Sequence, residues 1–134
     1  MKLYCGRNRK GVWKASFDED KLSRFEDVFE SEVETVHNNK VYMIHSYHGF
    51  DYNYGSEINP IFDVDRYVHQ LFHSVSAAKK CETWKKRAQL AKEKPDEYHV
   101  TPFSIASDDF GKPFIYGDAM SGKFNMEIIG VRVI

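Results

Sequence analysis

The chain contains little cysteine: Cys5 and Cys81 are its only two in 134 residues. Small secreted domains that depend on disulfides carry more cysteines, in even and closely spaced sets. The sequence therefore favours a reduced compartment and two free thiols, at least one of them buried, because unpaired cysteine behaves as a small apolar residue.

Long apolar runs are also missing. No stretch approaches the 18 or so consecutive apolar residues of a transmembrane helix, and the first residues, MKLYCGRNRKGVW, lack the apolar core of a signal peptide. We therefore expect a cytoplasmic protein that does not cross a membrane. Internal repeats and low-complexity segments are absent from the sequence as well, and the length suits one domain over residues 1–134.

Sequence signatures of catalysis are scarce too. The chain has no HExxH, CxxC or GxSxG motif. Residues 117–123 have the glycine and lysine spacing of a phosphate-binding loop, but Phe124 stands where that loop needs Ser or Thr. Only 11 residues follow Lys123, too few for a nucleotide-binding sheet, so this segment is interpreted as a surface turn.

Charge is present in abundance but is unevenly distributed. Residues 16–36 hold eight Asp or Glu and two Lys or Arg, a net charge of about −6. Residues 66–94 hold eight Lys or Arg and two Glu, a net charge of about +6. The overall charge of −1 therefore conceals two oppositely charged segments.

Alternating side chains predict an N-terminal hairpin. Residues 12–17 alternate with period two, which indicates a half-buried strand, and we expect it to pair with residues 2–5. Residues 35–37 and 40–45 flank Asn38-Asn39, which predicts a second tight hairpin. At the other end of the chain, residues 98–105, 112–116 and 124–134 resemble strands of a meander, with a bulge expected at Gly130.

Two helices are predicted between these strands. The first is an acidic helix over residues 18–33, because Leu22, Phe25, Phe29 and Val33 recur at helical spacing. The second covers residues 63–94 and is long or kinked, with a break near residues 74–78 where the apolar spacing slips. The predicted fold is α+β: an antiparallel sheet of about five to seven strands with both helices packed on one face.

The second helix offers two chemistries. Asp65, His69 and His73 would share one ridge of a continuous helix, where an i, i+4 histidine pair and a carboxylate suit zinc or another divalent metal, as in a metal-dependent hydrolase. The basic end of the same helix, residues 79–94, suits nucleic acid, because cations follow phosphates and an aromatic ring stacks on bases. Its candidate contacts are Lys79, Lys80, Trp84, Lys85, Lys86 and Arg87.

Residues 46–61 form an aromatic segment that predicts a recognition loop. Rigid rings interleaved with small and polar groups are typical of binding surfaces, and the members of interest are Tyr47, His48, Asp51, Tyr52 and Tyr54. Acid–base chemistry is also open to this segment, since imidazole titrates near neutral pH. Such chemistry would use His45, His48 or His99 with Tyr47, Asp51 or Tyr52.

These patterns together favour binding over catalysis. The leading hypothesis is a small cytoplasmic non-catalytic protein-binding factor, such as an inhibitor, adaptor or immunity-type accessory protein of a phage or bacterium. It would use the aromatic segment together with Glu26 and Glu30 of the acidic segment, and charge polarity would steer its partner. No cofactor is expected on this hypothesis. Nucleic-acid binding and metal-dependent hydrolysis remain the two alternatives.

Overall fold

A computed structural model describes residues 1–48, 70–101, 111 and 123–134, with the backbone alone at Tyr47 and His48. Six strands are found in this part of the chain: β1 (Lys2–Arg7), β2 (Trp13–Ser16), β3 (Glu26–Glu32), β4 (Lys40–His48), β5 (Tyr98–Thr101) and β6 (Phe124–Val133). Two α-helices, α1 (Val75–Lys79) and α2 (Glu82–Glu93), and a 3-10 helix, Glu19–Leu22, accompany them. The class is broadly α+β, as predicted.

The strands form one mixed sheet, in the order β3-β1-β2-β6-β4, with β5 also paired to β6. Strand β1 is antiparallel to both β2 and β3, and β4 is antiparallel to β6. However, β6 runs parallel to β2 and to β5, so the prediction of a purely antiparallel sheet is wrong. The last strand enters the sheet between β2 and β4, and alternation within a strand does not encode the direction of a distant neighbour.

The N-terminal hairpin of β1 and β2 is confirmed. Tyr4 lies opposite Ser16 and Arg7 opposite Trp13. Asn8 organises the connection, because its side-chain oxygen accepts hydrogen bonds from the backbone N–H groups of Lys10 (2.9 Å) and Val12 (3.0 Å). A short polar side chain that bonds its own following backbone is a common way to close a turn.

The acidic helix predicted over residues 18–33 is wrong. Only Glu19–Leu22 is helical, capped by the Asp18 carboxylate, and Glu26–Glu32 is strand β3, paired with β1. Of the apolar residues that suggested a helix, Phe25, Phe29 and Val33 are four apart, a spacing that places side chains on one face of a strand as well as of a helix. Pairing with β1 therefore decided between two structures that this spacing allows equally.

The continuous helix predicted over residues 63–94 is also wrong. Residues 70–74 are not helical, and Phe72 instead exchanges two backbone hydrogen bonds with Tyr42 (2.9 and 2.8 Å). Helix α1 begins only after Ser74, whose hydroxyl caps it, and a break at Lys80-Cys81 separates α1 from α2. The helix is interrupted, but at two places that flank α1: residues 70–74 before it and Lys80-Cys81 after it. Residues 63–69 lie outside the described residues.

The second tight turn is confirmed in its geometry. Asn38 and Asn39 both have φ of 55°, the left-handed pair of a type I′ turn, and the Lys40 N–H bonds the His37 carbonyl at 3.1 Å. Before this turn only an isolated bridge forms, so residues 35–37 are not a strand. The bulge predicted at Gly130 is wrong, because Gly130 pairs with Tyr42 in an unbroken register.

A hydrophobic core lies against each face of the sheet. One face carries the inner core, composed of Leu3, Cys5, Trp13, Ala15, Val33, Val41, Met43, Leu71, Ile129 and Val131. The other face carries the helix-face core, composed of Ile44, Phe72, Ala78, Trp84, Met126 and Ile128, where α1 and α2 pack. Alternate residues of β4 and β6 thus enter different cores, and α1 and α2 contribute Ala78 and Trp84 to the helix-face core. Within the described residues, no helix has the length and apolar character to span a membrane.

Candidate functional site

Strand β3 carries the predicted acidic contact residues, and they are matched by cations of β1. Glu30 Oε2 lies 3.6 Å from Lys2 Nζ, and Glu26 Oε2 lies 3.4 Å from Arg7 Nη2. The same guanidinium contacts Asp27 at 2.9 Å, and the terminal amine contacts Glu32 at 3.2 Å. Exposed pairs of this kind are worth only about 0–1 kcal/mol each, but they reduce the uncompensated charge of the strand.

The polar side chains along one exposed ridge of α2 contact one another. Lys86 Nζ lies 3.3 Å from Glu82 Oε1, one helical turn away, and Gln89 Nε2 donates to Glu93 Oε1 at 3.0 Å. Lys86 was a predicted nucleic-acid contact, and it shares its charge with Glu82. This ridge therefore presents close to neutral charge to a partner.

Five other lysines of the α1–α2 region, which we call the lysine flank, are exposed: Lys79, Lys80, Lys85, Lys92 and Lys94. In the described part of the chain none of them lies within ion-pair distance of a carboxylate. Lys85 and Lys92 are seven residues apart on α2, so two helical turns separate them by about 10.5 Å along the axis. Positive charge is therefore presented outward here, whereas the negative charge of β3 is largely offset.

The two remaining predicted nucleic-acid contacts are not part of that flank. Trp84 is 6% exposed and belongs to the helix-face core, so its ring is not presented for stacking on a base. The Arg87 guanidinium lies 5.3 Å from the ring centroid of Tyr98, in cation–π contact. Both side chains serve to attach α2 to the sheet.

A buried polar pair interrupts the inner face of the sheet. His45 of β4 lies directly opposite Glu127 of β6, and His45 Nδ1 is 3.0 Å from Glu127 Oε1. Their side chains are 0% and 2% exposed, respectively. His45 was one of several histidines that the sequence allowed for acid–base chemistry, but Glu127 and the neighbouring Asn125 were missed. The sequence does carry a signal for both residues, because they alternate in phase with Ile129 and Val131, at positions where period two predicts apolar residues.

Strand β5 brings two more polar residues to the same place. His99 pairs with Asn125, and Thr101 pairs with Glu127, in parallel register. Burial lowers the pKa of His99, and the positive charge of Lys123 lowers it further. The imidazole is therefore held in its neutral form at neutral pH.

The predicted metal ridge is not formed at the end that the structure describes. His73 lies before α1, outside any helix, and its Nδ1 is 3.8 Å from Glu34 Oε2. A helical i, i+4 arrangement of His69 and His73 is therefore wrong, while Asp65 and His69 themselves lie outside the described residues. Across residues 1–48, 70–101, 111 and 123–134, no group of three or more potential ligands could hold a metal ion.

The aromatic segment is partly strand. Tyr47 and His48 end β4 and pair with Asn125 and Phe124, so the predicted loop begins later than residue 46. Asp51, Tyr52 and Tyr54 lie outside the described residues, and their role stays a prediction. Comparison with protein-family models, with curated proteins and with solved structures found no match to this chain.

Proposed function

We propose that this protein is a non-catalytic binding factor that docks on an acidic protein surface through its lysine flank. One observation carries the proposal: Lys79, Lys80, Lys85, Lys92 and Lys94 are exposed without an ion-pair partner in the described chain, whereas the carboxylates of β3 are paired with β1. A surface lysine without an internal ion-pair partner does not have to break an ion pair when it binds. Its charge is therefore available to a complementary surface.

The spacing of the flank suggests how a partner would match it. Lys85 and Lys92 project from one side of α2 about 10.5 Å apart along the axis. Carboxylates seven residues apart on a partner helix have the same spacing. Contacts of this kind act mainly on the association rate, because they steer the approach of the partner and are screened by salt.

An acidic protein suits this surface better than nucleic acid does. The aromatic ring that would stack on a base, Trp84, is buried in the helix-face core. The planar guanidinium suited to bidentate phosphate contacts, Arg87, is engaged with Tyr98.

The proposal is tested with the double variant Lys85→Glu/Lys92→Glu. Binding of fluorescent poly-L-glutamate, a model acidic polypeptide, and of a single-stranded DNA 20-mer is measured by anisotropy at low and at physiological salt. We expect the variant to bind poly-L-glutamate at least about tenfold more weakly, since two attractive contacts become repulsive. The wild-type protein should prefer poly-L-glutamate to DNA.

The matched control is Lys10→Glu/Lys21→Glu, which reverses two exposed lysines outside the flank and changes the net charge equally. Its affinity for poly-L-glutamate should change by less than about threefold. Equal loss in both double variants would show that net charge alone drives the binding. A wild-type preference for the DNA 20-mer would instead favour the nucleic-acid alternative over the protein partner.

A further inference from the structure

Strand β3 forms one edge of the sheet, and in the described part of the chain it pairs with β1 alone. At the opposite edge β4 is covered, because Tyr42 exchanges two backbone hydrogen bonds with Phe72, and Ile44 and Ser46 are buried. Strand β3 is different, since five of its seven residues are exposed: Glu26, Asp27, Val28, Glu30 and Glu32. Its outer side is therefore accessible to another strand.

The register shows which backbone groups of β3 point outward. The terminal amine of Met1 donates to the Val33 carbonyl at 2.9 Å, and the Val33 N–H donates to the Met1 carbonyl at 2.8 Å. In an antiparallel pair, such positions alternate with positions whose backbone groups point away from the partner strand, which here are Glu32 and Glu30. The Glu32 carbonyl receives a long contact from the Ser31 hydroxyl, at 3.3 Å. The two N–H groups and the Glu30 carbonyl are therefore directed into solvent.

A bulge limits this edge at its N-terminal end. The register with β1 shifts between Cys5 and Arg7, and Asp27 has φ of 54°. An extra residue bends a strand and interrupts its ladder, and the Arg7 guanidinium holds Asp27 in place at 2.9 Å. Regular pairing on the outer side is therefore confined to residues 28–32, which we call the docking edge. This length suits a short extended peptide.

Side-chain charge decides which strand fits the docking edge. Glu30 and Glu32 are 61% and 75% exposed, and each contacts its cation on β1 through Oε2. Exposed pairs of this kind rearrange at little cost, and the second oxygen of a carboxylate can accept a further cation. A second copy of β3, paired antiparallel along its whole length, would instead place Glu26 opposite Glu32, and like charges directly opposite are destabilising. The edge therefore favours a basic strand over a second copy of itself.

We propose that the docking edge binds an extended basic segment of a partner protein as an additional antiparallel strand. The outward backbone groups of Glu30 and Glu32 supply the main-chain hydrogen bonds. Lysine or arginine side chains two residues apart on the partner meet the two carboxylates, because alternate side chains of a strand share one face. The next alternate side chain is apolar and lies opposite Val28, which is 38% exposed. This interaction is separate from the lysine flank and does not rest on the function proposed for it.

The first measurement is amide hydrogen exchange during titration with the peptide TKTKTVT, which carries this alternation. In the free protein the amides of Glu30 and Glu32 should exchange fast, whereas those of Phe29 and Ser31, which face β1, should exchange slowly. We expect the peptide to slow exchange at Glu30 and Glu32. It should also bind at least about tenfold more tightly than TTKKVTT, which has the same composition without the alternation. Equal binding of both peptides, or unchanged exchange at Glu30, would overturn the proposal.

The second measurement separates main-chain pairing from charge. Glu30→Pro removes the outward N–H at a position where an edge strand tolerates proline, and Glu30→Ala is its matched control, with the same loss of charge. We expect Glu30→Pro to bind TKTKTVT at least about tenfold more weakly than Glu30→Ala does. Equal affinities of the two variants would refute main-chain pairing.

If Glu30→Pro does not fold, Glu30→Lys replaces it and is titrated with TKTETVT, in which glutamate stands opposite the new lysine. The variant should prefer TKTETVT, whereas the wild type should prefer TKTKTVT. The absence of this reversal would contradict the pairing. Sedimentation of the wild-type protein tests the other occupant, because a concentration-dependent dimer that Glu30→Ala strengthens would identify a second copy on this edge and overturn the basic partner.

Discussion

At the scale of single residues, one glycine links a distant part of the chain to the N-terminal hairpin. The carbonyl of Gly111 accepts a 2.7 Å hydrogen bond from the Trp13 N–H, at the start of β2. Gly111 has φ of +85°, and a Cβ atom there would lie 2.2 Å from the Trp13 carbonyl oxygen. The close approach of Gly111 to Trp13 is a property of the tertiary structure.

Replacing Gly111 by Ala should therefore destabilise the protein in two ways. The left-handed backbone conformation costs about 1 kcal/mol for a residue with a side chain, and the collision with Trp13 adds to it, so we expect a total loss of at least about 2 kcal/mol. Urea denaturation gives the free energy of unfolding. Gly11→Ala is the matched control, because Gly11 has φ of +76° with no atom within 4 Å of a Cβ there. Equal losses in both variants would contradict the steric contribution at Gly111.

At the scale of elements, local turn chemistry was informative where apolar spacing was not. The Asn38-Asn39 dipeptide predicts a tight turn because asparagine tolerates positive φ, and the turn forms. By contrast, the spacing of Phe25, Phe29 and Val33 fits a helix and a strand equally. Strand β3 exists because β1 offers it backbone partners, and no local pattern contains that information.

The turn leads to a prediction about Asn39, the second left-handed residue. Asn39→Gly should leave the free energy of unfolding unchanged or raise it by about 0.5 kcal/mol, because Asn-Gly is the preferred type I′ pair. Asn39→Ala should lower it by about 1 kcal/mol, since alanine disfavours positive φ. Thermal and urea unfolding of both variants measure the difference. A stabilising effect of alanine would contradict the type I′ geometry.

At the scale of the whole molecule, β6 connects most of the structure. It pairs with β2, β4 and β5, and its alternate residues enter the inner core and the helix-face core. Whether the two oppositely charged segments pair with each other is also decided at this scale. The acidic strand β3 is paired with β1, and no ion pair joins β3 to α1 or α2 within the described residues. Their opposite charges are thus separate surface features.

The two free thiols test the packing of the whole molecule. Cys5 lies fully inside the inner core, and burial raises the pKa of its thiol well above the ordinary value, so the unreactive thiol form persists at neutral pH. Cys81 is half-buried at the start of α2. We expect one thiol to react with Ellman's reagent in the native protein and the second only upon unfolding. The rate at which the Cys5 thiol reacts with Ellman's reagent should increase with urea concentration in parallel with global unfolding. Rapid reaction of both thiols, or of neither, in native buffer would contradict this packing.

The sequence by itself determined the features that depend on neighbouring residues. The N-terminal hairpin, the asparagine turn and the free thiols follow from local chemistry, and all three are found in the structure. The sequence also indicated that the positive charge of residues 79–94 is exposed, because lysine side chains on a helix stay in water unless they are buried by a partner.

Tertiary structure decided everything that depends on residues distant in the sequence. Residues Glu26–Glu32 form a strand, and Trp84 lies in the helix-face core. The β3 carboxylates pair with cations of β1. Glu127 Oε1 lies 3.0 Å from His45 Nδ1, although 82 residues separate the two in the sequence. Each of these outcomes depends on which strand lies beside which. That choice is made by the burial of the whole sheet and by its long-range backbone pairing, to which a single segment contributes only a part.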